Sequence, residues 1–308
     1  IKENNYLGKG IILNSNLSLD EESIKGAFSY INPNYKNSDI SLLLGLNSTS
    51  TDRLAEFGYK SSNSGFSIGT SYEQYDDIFF SPRLAFQYDK IETSNTASDS
   101  LKKQKGDYFD FNLSYAFDHD ERNQRFQPSS GYRQVFFQEL PLISKNYSIT
   151  NSYSVDKYLQ FTDDLITTIS FYGKTITSLK SSKDVRISKR LLMPSRRLRG
   201  FEPGKIGPVD NNDFVGGNYL TAFNINTDIP IFVTSENVDF KLFYDAANLW
   251  GNDYKNNDGD SNKIRSSTGI AVDWFTPIGP LNFSLSQPLS KKNSDKTETF
   301  RFTLGTTF

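Results

Sequence analysis

Alternation of apolar and polar side chains is the main pattern in this 308-residue sequence. The segment FDFNLSYAFD, residues 109–118, shows it most clearly, because aromatic or aliphatic residues occupy every second position and polar or small residues lie between them. Side chains of a β-strand point alternately to its two faces, so a period of two predicts a strand with one apolar and one polar face. No stretch keeps a helical period over three turns. The sequence therefore predicts an all-β protein.

The same alternation recurs along the whole chain. We count about fourteen strands of roughly ten to thirteen residues, joined alternately by short turns and longer polar loops. Residues 47–62 leave two interpretations open, a continued strand or a short separate one, and we favour the continued strand because an extra one would break the up-and-down order. The pattern is typical of an antiparallel up-and-down transmembrane β-barrel. A soluble β-sandwich is the alternative, but sandwiches rarely contain so many meandering strands.

A barrel of this kind predicts which side chains face lipid and which face the lumen. Apolar positions of the alternating segments are expected on the lipid side, and the polar positions between them on the lumen side. On this basis we expect lipid-facing side chains at Phe111, Leu113, Phe240, Leu242, Phe300, Phe302 and Leu304. The expected lumen-facing side chains are Asp110, Asp239, Asp245 and Arg301.

Composition agrees with strands that lie between two environments. The sequence contains 25 Phe and 17 Tyr, yet its mean hydropathy is −0.54, so the apolar residues are dispersed. No run approaches the roughly 18 apolar residues that a spanning helix needs, whereas hydropathy averages out along barrel strands. The absence of cysteine excludes disulfides, cysteine zinc sites and thiol chemistry. A net charge of −2 without a basic stripe argues against nucleic acid as a partner.

Enzymatic and metal chemistry have little support in the sequence. The single histidine, His119, lies between two aspartates near a predicted turn, and we interpret it as a turn residue rather than a catalytic base. The acidic segment at residues 252–260 is similar to a calcium-binding loop but lacks the final glutamate. We therefore expect no cofactor, no metal and no enzymatic activity.

The longest connection contains the segment MPSRRLRGFEPGKIGPVDNNDFVGG, residues 193–217, and is too specific in sequence for a disordered linker. Its glycines permit tight backbone turns and its prolines stiffen it. We expect it to fold into the barrel and bury Phe201. Arg199 would then need an acidic partner, because an unpaired buried charge is costly. Asp245, on the polar face of its strand, is our candidate; a solvated basic loop is the alternative.

Three groups of residues carry a resemblance to a known family. The long loop contains Leu198, Arg199, Gly200, Phe201, Gly207, Pro208, Gly216 and Gly217; a turn contains Asp120, Arg122, Phe126, Pro128 and Gly131; the final segment contains Phe300, Phe302, Gly305 and Phe308. In this order they resemble the inward-folding loop, a periplasmic turn and the closing strand of the barrel domain of the BamA family, which belongs to the bacterial surface antigens. The closing strand of that family lies at a seam between the first and last strands. The resemblance covers essentially the whole chain.

Two departures from the family pattern concern the loop and the boundaries of the domain. Asn226 stands where the family commonly has an acidic residue that helps to hold the loop arginine, and the periplasmic POTRA domains that precede the barrel are absent from this sequence. The resemblance implies about fourteen of the family's sixteen strands. We therefore expect residues 1–308 to be an outer-membrane barrel domain truncated at its N-terminus. Residues 9–19 and 299–308 are then expected to be facing edges without a continuous ladder between them.

The resemblance implies a non-enzymatic function in the bacterial outer membrane. Members of this family are insertases that help unfolded outer-membrane proteins to fold and insert, by pairing a client strand with an exposed edge at the seam. The implied partners are unfolded outer-membrane proteins, accessory lipoproteins, membrane lipids and lipopolysaccharide, with membrane thinning near the seam. A TamA-like or two-partner-secretion translocator of the same superfamily remains an alternative. A passive porin is a second alternative.

Overall fold

The computed structural model describes residues 1–20, 23–55, 57–163, 165–180, 184–210, 213–229, 237–252, 263–276 and 279–304. These residues form almost only strands and turns. The strands are β1 Lys2–Tyr6, β2 Ile11–Asp20, β3 Ser23–Asn32, β4 Ser41–Arg53, β5 Tyr59–Tyr75, β6 Ile78–Thr93, β7 Gly106–Asp120, β8 Gly131–Ser144, β9 Ser148–Gln160, β10 Ile166–Ser178, β11 Val209–Asp210, β12 Asp213–Phe214, β13 Tyr219–Asp228, β14 Val238–Trp250, β15 Arg265–Thr276, β16 Gly279–Ser290 and β17 Phe300–Leu304. One short helix, α1 Asp99–Lys102, and 3-10 turns at Tyr35–Asn37, Ile187–Lys189 and Ser195–Arg197 complete the assignment.

The strands form one antiparallel meander. Fifteen of them pair in the order β1 to β10 and then β13 to β17, and β11 and β12 form a separate two-stranded hairpin. Each strand of the large sheet pairs with its neighbours in the chain, which confirms the predicted all-β, up-and-down arrangement. Successive connections alternate between the two ends of the sheet; we call the end that carries the long connection between β10 and β13 the loop end, and the other the turn end. In the described residues no helix has the length and apolar character needed to cross a bilayer.

The large sheet has one strand more than the sequence pattern indicated. The additional strand is β1, with the sequence KENNY, and all five of its side chains are exposed. It pairs with β2 from Lys2 opposite Asn14 to Tyr6 opposite Ile11. Tyr6 is its single aromatic or aliphatic side chain, so the strand has no alternation to detect. β4 does continue outward, to Arg53, and the next strand begins at Tyr59.

The two outer strands of the sheet do not pair with each other in the described residues. β1 pairs with β2, and β17 pairs with β16 from Phe300 opposite Leu285 to Leu304 opposite Leu281. No ladder joins β1 or β2 to β17 in the part of the chain that the structure describes. The expectation that residues 9–19 form an edge is nevertheless wrong, because β1 pairs with β2 and is itself the outer strand. Gly305 and Phe308, which the sequence assigns to the closing strand, lie outside the described residues.

Burial is inverted relative to a water-soluble protein, as expected for a barrel in lipid. In β7 the side chains of Asp110, Asn112 and Ser114 are buried in the lumen, while the apolar residues between them point outward. Leu242 is 51% exposed on the outer face of β14, and Asp245 on its inner face is 0% exposed. The outward side chains of β17, Phe300, Phe302 and Leu304, are exposed as well. Alternation along each strand therefore separates a lipid face from a lumen face.

The hydrophobic core lies inside the barrel, where the connections of the loop end pack against the inner faces of the strands. One buried cluster joins residues of the long loop to the inner faces of β10, β13 and β14: Ile176, Val185, Leu191, Met193, Leu198, Phe201, Ile206, Leu220, Ala222, Ala247 and Leu249. A second joins the loop to the β4–β5 and β6–β7 connections: Phe57, Tyr59, Ile91, Ala97, Leu101, Ile187, Phe214 and Val215. A wall of this many strands encloses more space than its own side chains fill, and the loop occupies that space.

The outer face of β14 offers a direct test of the lipid environment. Replacing Leu242 by Arg should reduce the free energy of unfolding by about 2–4 kcal/mol, because a charge within the apolar band loses its hydration. Leu179→Arg is the matched control, since Leu179 is also exposed but follows the end of β10 and should cost only about 0–1 kcal/mol. Urea unfolding of the protein in lipid vesicles measures both values. Equal stability of the two variants would contradict a lipid-facing Leu242.

Candidate functional site

The centre of the lumen is occupied by a paired arginine and aspartate. The Arg199 guanidinium donates from Nε to Oδ2 of Asp245 at 2.8 Å and from Nη2 to Oδ1 at 2.7 Å. The backbone N–H of Arg199 also donates to Oδ2, at 3.0 Å. The two parallel bonds match the planar guanidinium to the carboxylate, an arrangement stronger than a single contact. The structure thus brings together the loop arginine and the acidic residue proposed from sequence. We call this pair, with the residues that contact it, the Arg199 clamp.

Two asparagines of β13 complete the Arg199 clamp. Oδ1 of Asn226 accepts a hydrogen bond from Nη2 of Arg199 at 2.7 Å, so an amide oxygen occupies the position where the family commonly has a carboxylate. Nδ2 of Asn224 donates to Oδ1 of Asp245 at 2.8 Å and to the backbone oxygen of Arg197 at 2.9 Å. Asp245 is directly opposite Asn224 in the β13–β14 register. The loop arginine is therefore held on both sides although the second acid is absent.

Phe243 contributes a contact that the sequence reasoning missed. The guanidinium carbon of Arg199 lies 3.6 Å from the centroid of its ring, and Phe243 is buried. A cation over an aromatic face is attracted by the ring's electrostatic field, most strongly where water is excluded. Phe243 stands two residues before Asp245 and so shares its inner face. An aromatic side chain in the polar phase of β14 was the signal that could have identified it.

Gly200 fits the loop against the opposite wall. Its φ is +85°, and a Cβ atom would lie 3.1 Å from Cβ of Ser286 and 3.4 Å from Cβ of Ser267. Ser267 also donates its hydroxyl to the backbone oxygen of Arg199 at 2.5 Å. A left-handed backbone and a close approach both favour glycine here. The loop is therefore packed on β15 and β16 immediately after the clamped arginine.

The residues after Gly200 contact the segment that leads into β17. Phe201 is buried and forms an isolated bridge with Thr297. The backbone N–H of Glu298 donates to the oxygen of Gly200 at 3.2 Å, and Nη2 of Arg301 donates to the oxygen of Phe201 at 3.0 Å. Arg301 is itself a residue of β17 and points into the lumen, as the alternation predicted. The loop segment from Arg199 to Phe201 thus links β14 to β17.

A second buried ion pair holds the segment before β17 from its other side. Arg265 at the start of β15 donates to both carboxylate oxygens of Asp295, at 3.0 and 2.9 Å, and neither side chain is exposed. Nη1 of Arg265 also donates to Oδ1 of Asn248 at 2.9 Å. The segment between β16 and β17 is therefore fixed between the wall and the long loop. This pairing was not anticipated from the sequence.

The other motif residues of the loop lie near its return to the wall. Gly207 and Pro208 are buried just before β11, and the oxygen of Pro208 accepts from the backbone N–H of Val215 at 3.1 Å. Gly216 and Gly217 follow β12, and Gly217 exchanges two backbone hydrogen bonds of 2.9 Å with Leu191. These residues close the loop on itself. At the tip of the hairpin, burial and then the charge of Asp210 raise the pKa of the Asp213 carboxyl.

The turn after β7 forms a second structured element, at the turn end. Arg122 donates to both oxygens of Asp120 at 2.7 Å. Gly131, with φ +92°, allows the chain to return, because a Cβ atom there would lie 2.1 Å from the oxygen of Glu121. Residues 121–130, which include Pro128, form what we call the β7–β8 arm. The sequence placed Asp120, Arg122, Pro128 and Gly131 in one turn, and the structure brings them together.

The β7–β8 arm reaches across to the wall formed by β14 and β15. Nε2 of Gln127 donates to Oδ2 of Asp239 at 3.1 Å, and the ring of Phe126 packs edge-on against Phe275 with 5.4 Å between centroids. A cavity of about 820 Å³ lies between the arm and the Arg199 clamp, with Arg122 and Arg125 on one side and Asp228, Asp239 and Asp273 on the other. The arm thus spans the turn end of the lumen.

The fold and this site define the class of protein. The chain is an outer-membrane-type β-barrel whose lumen is occupied by its own loop, anchored by a largely buried arginine paired with a buried aspartate. The Omp85 superfamily domain matches residues 5–308, and the chain belongs to the Omp85 superfamily. Proteins of this barrel family reside in the bacterial outer membrane, and so does this chain.

Individual proteins are similar to this chain in sequence and in structure. The chain is 31% identical over 141 residues to the outer membrane protein assembly factor BamA of Neisseria meningitidis serogroup B (strain ATCC BAA-335 / MC58), a match that covers 36% of this chain and 17% of that protein. It is 25% identical over 252 residues to BamA of Neorickettsia risticii (strain Illinois), covering 79% of this chain and 34% of that protein. The solved structure of BamA from Haemophilus ducreyi lacking POTRA domains 1-3 superposes with a TM-score of 0.84 and 25% identity, over 100% of this chain and 66% of that one. The chain therefore spans about a third or less of the length of these two curated relatives.

Removing either charge of the Arg199 clamp should release the loop. Arg199→Gln or Asp245→Asn leaves one buried charge without its partner, which typically costs about 3–5 kcal/mol. Because both residues serve one interaction, the double variant should lose less stability than the sum of the two single variants. Arg196→Gln is the control, since Arg196 lies in the same loop but is exposed. Urea unfolding in vesicles provides the comparison, and additive losses would contradict direct coupling.

The β7–β8 arm can be tested by cross-linking, because the chain contains no cysteine. Gln127→Cys combined with Asp239→Cys should react rapidly with a short bifunctional thiol reagent, since the two side chains are in contact. Gln127→Cys with Lys60→Cys is the control, because Lys60 lies at the loop end of β5. Altered migration of the cross-linked protein in gel electrophoresis measures the reaction. Equal reaction of the two pairs would show that the arm does not lie across the turn end.

Proposed function

We propose that this chain forms the barrel of an outer-membrane protein assembly factor, which promotes the folding and insertion of β-barrel clients without enzymatic chemistry. The observation that carries the proposal is the state of β17. In the described residues this strand pairs on one side with β16, and the inward loop contacts it through the oxygen of Phe201 and Arg301. The relatives named as BamA support the same function. The proposed partners are unfolded outer-membrane proteins, accessory lipoproteins, lipids and lipopolysaccharide.

Pairing at the edge of β17 is the proposed mechanism. In the described residues, backbone N–H and C=O groups on the side of β17 away from β16 have no partner strand, and such edges template further strands. Phe300, Phe302 and Leu304 present their side chains outward, so a client strand added here would continue the lipid face. The loop fixes the start of β17 through Glu298 and Arg301. A fixed edge lowers the entropy that the client must lose on pairing.

Two other functions would use the same fold differently. A translocator of the superfamily would pass its client through the lumen, and a porin would keep the lumen open. The buried cluster between the long loop and β10, β13 and β14 occupies the loop end of the lumen, which favours function at the wall over passage through the centre. A large, steady conductance unchanged by deletion of residues 193–215 would favour a porin instead.

Reconstitution tests the proposed function. The full-length protein that carries this chain is placed in liposomes, and a urea-unfolded outer-membrane protein is added as the client. We expect the client to fold severalfold faster than in empty liposomes, and Arg199→Gln to reduce that acceleration. Protease resistance and gel mobility of the client report its folding. Equal rates with and without the protein would remove the proposal, and a client recovered unfolded inside the liposomes would favour a translocator.

A further inference from the structure

The first limb of the long loop, residues 184–192, contains a second buried arginine. Arg186 is 2% exposed, and its guanidinium lies between two wall strands. Its Nε is 3.1 Å from Oδ2 of Asp89 on β6, and its Nη2 donates to Oδ2 of Asp110 on β7. Both carboxylates are almost fully buried on the inner face of the sheet. We call this group the Arg186 clamp.

Further contacts surround the Arg186 clamp. The hydroxyl of Ser188 accepts from Nε of Arg186 at 3.1 Å and donates to Oδ2 of Asp89. Lys189 places its Nζ 3.1 Å from Oδ2 of Asp110, which balances the second negative charge. On the wall, Ser144 of β8 donates to Oδ1 of Asp110 at 2.6 Å. The site is thus a neutral group of two cations and two carboxylates that joins one loop limb to three consecutive strands.

Residues of the β6–β7 connection and of the start of β7 also contact the loop limb. The backbone N–H of Ile187 donates to Oε1 of Gln104 at 2.6 Å, and the guanidinium carbon of Arg186 lies 4.5 Å from the ring centroid of Tyr108. The Tyr108 hydroxyl in turn donates to the backbone oxygen of Gln104 at 2.7 Å. Loop limb, connection and wall are therefore joined at one point.

The role of the Arg186 clamp follows from its separation from the Arg199 clamp along the sheet. The Arg186 clamp holds the loop to β6 and β7, whereas the Arg199 clamp holds it to β13 and β14. In the sheet order, β8, β9 and β10 lie between these two parts of the wall. The Arg199 clamp is complete without Arg186, so the stability of that clamp does not explain the burial of a second arginine with two carboxylates. A loop attached at two separated places fixes the distance between them.

We propose that Arg186 is a second positioning residue of the loop, and that the loop is a brace between the β6–β7 wall and the β13–β14 wall. The brace determines where Gly200 and Phe201 meet Glu298 and Arg301, and so it sets the position of β17. This last step rests on the proposed function, because it matters only if β17 is the working edge. The attachment of the loop limb to β6 and β7 does not depend on that function.

A variant that keeps the net charge of the Arg186 clamp at zero allows the attachment of the loop limb to be tested separately from the folding of the protein. Arg186→Gln alone leaves an excess buried carboxylate, which destabilises the protein, whereas Arg186→Gln with Asp110→Asn leaves one cation, Lys189, and one carboxylate, Asp89, so that the net charge of the group stays zero. The double variant should therefore be more stable than Arg186→Gln alone, although its loop limb has lost its ion pairs to Asp89 and Asp110. If Arg186 contributed only to packing, the double variant would regain the limb's resistance to proteolysis together with its free energy of unfolding.

Limited proteolysis of the full-length protein in liposomes tests the attachment. Trypsin cleaves after Lys189 and Arg190, and both the Arg190 side chain and Leu191 are buried in the parent. In the variant carrying Arg186→Gln and Asp110→Asn we expect cleavage there to be about tenfold faster, because detachment replaces global unfolding by local opening. Arg196→Gln, in the same loop but exposed, is the control and should be cleaved after Lys189 and Arg190 at the parental rate. Parental protection in a folded double variant would overturn the proposal.

A cross-link provides a second measurement if the variants fold poorly. Asp89→Cys with Ser188→Cys should form a disulfide under mild oxidation, because these side chains are in hydrogen-bond contact and no other cysteine is present. The control pair, Asp89→Cys with Arg196→Cys, should not. Failure of the first pair to form would overturn the attachment of the limb to β6.

The rate of client folding distinguishes the proposed function from the proposed brace. If the parent accelerates client folding, the double variant should be severalfold slower and Arg196→Gln should match the parent. A double variant with a detached limb and the parental rate would overturn the claim that the brace positions β17. If the parent accelerates no client, the proposed function fails, and the proteolysis result still decides whether the brace exists.

Discussion

The pairing of Arg199 with Asp245 is the interaction on which the position of the loop depends. A guanidinium inside the barrel is tolerated because the carboxylate, the amide of Asn226 and the ring of Phe243 together replace the water that it loses. A buried pair of this kind contributes little compared with an apolar isostere, but breaking it costs about 3–5 kcal/mol. The pair therefore mainly determines the position of the loop. A position in which Arg199 contacts Asp245 costs little free energy, whereas a position that separates the two charges costs much more. Gly200 and Phe201 then reach β15, β16 and the approach to β17.

The inside of the barrel has the organisation of a protein core in which connections pack against the inner faces of strands. The lumen side of β7 is polar, with Asp110, Asn112 and Ser114, whereas β13 and β14 contribute apolar side chains such as Leu220 and Leu249. The long loop supplies further apolar residues, and charged groups anchor its two limbs to the wall. Each anchor is charge-balanced within itself: Arg199 with Asp245, Arg186 and Lys189 with Asp89 and Asp110. Neutral groups of this kind avoid the high cost of an uncompensated charge in a low-dielectric interior.

Much of the fold could be predicted because barrel strands carry a local signal of period two. The alternation of apolar and polar residues along β14 was enough to assign Asp245 to the lumen. That assignment identified the partner of Arg199. β1 was missed because the segment KENNY has no apolar phase. Asp110 was correctly assigned to the lumen, but its pairing with Arg186 joins residues 76 positions apart, and alternation contains no information on which lumen residues meet. The same limit applies to Gln127 and Asp239, which are 112 positions apart.

The arrangement of loop and arm has a consequence for the permeability of the membrane. The long loop occupies the loop end of the lumen, the β7–β8 arm spans the turn end, and the cavity lies between them. A barrel with an empty lumen would let small solutes leak for as long as it stayed in the membrane. Here the traffic proposed for β17 takes place on the outside of the wall. A client strand that pairs at that edge would do so without entering the lumen, so the proposed assembly and the barrier against small molecules would use different surfaces of one sheet.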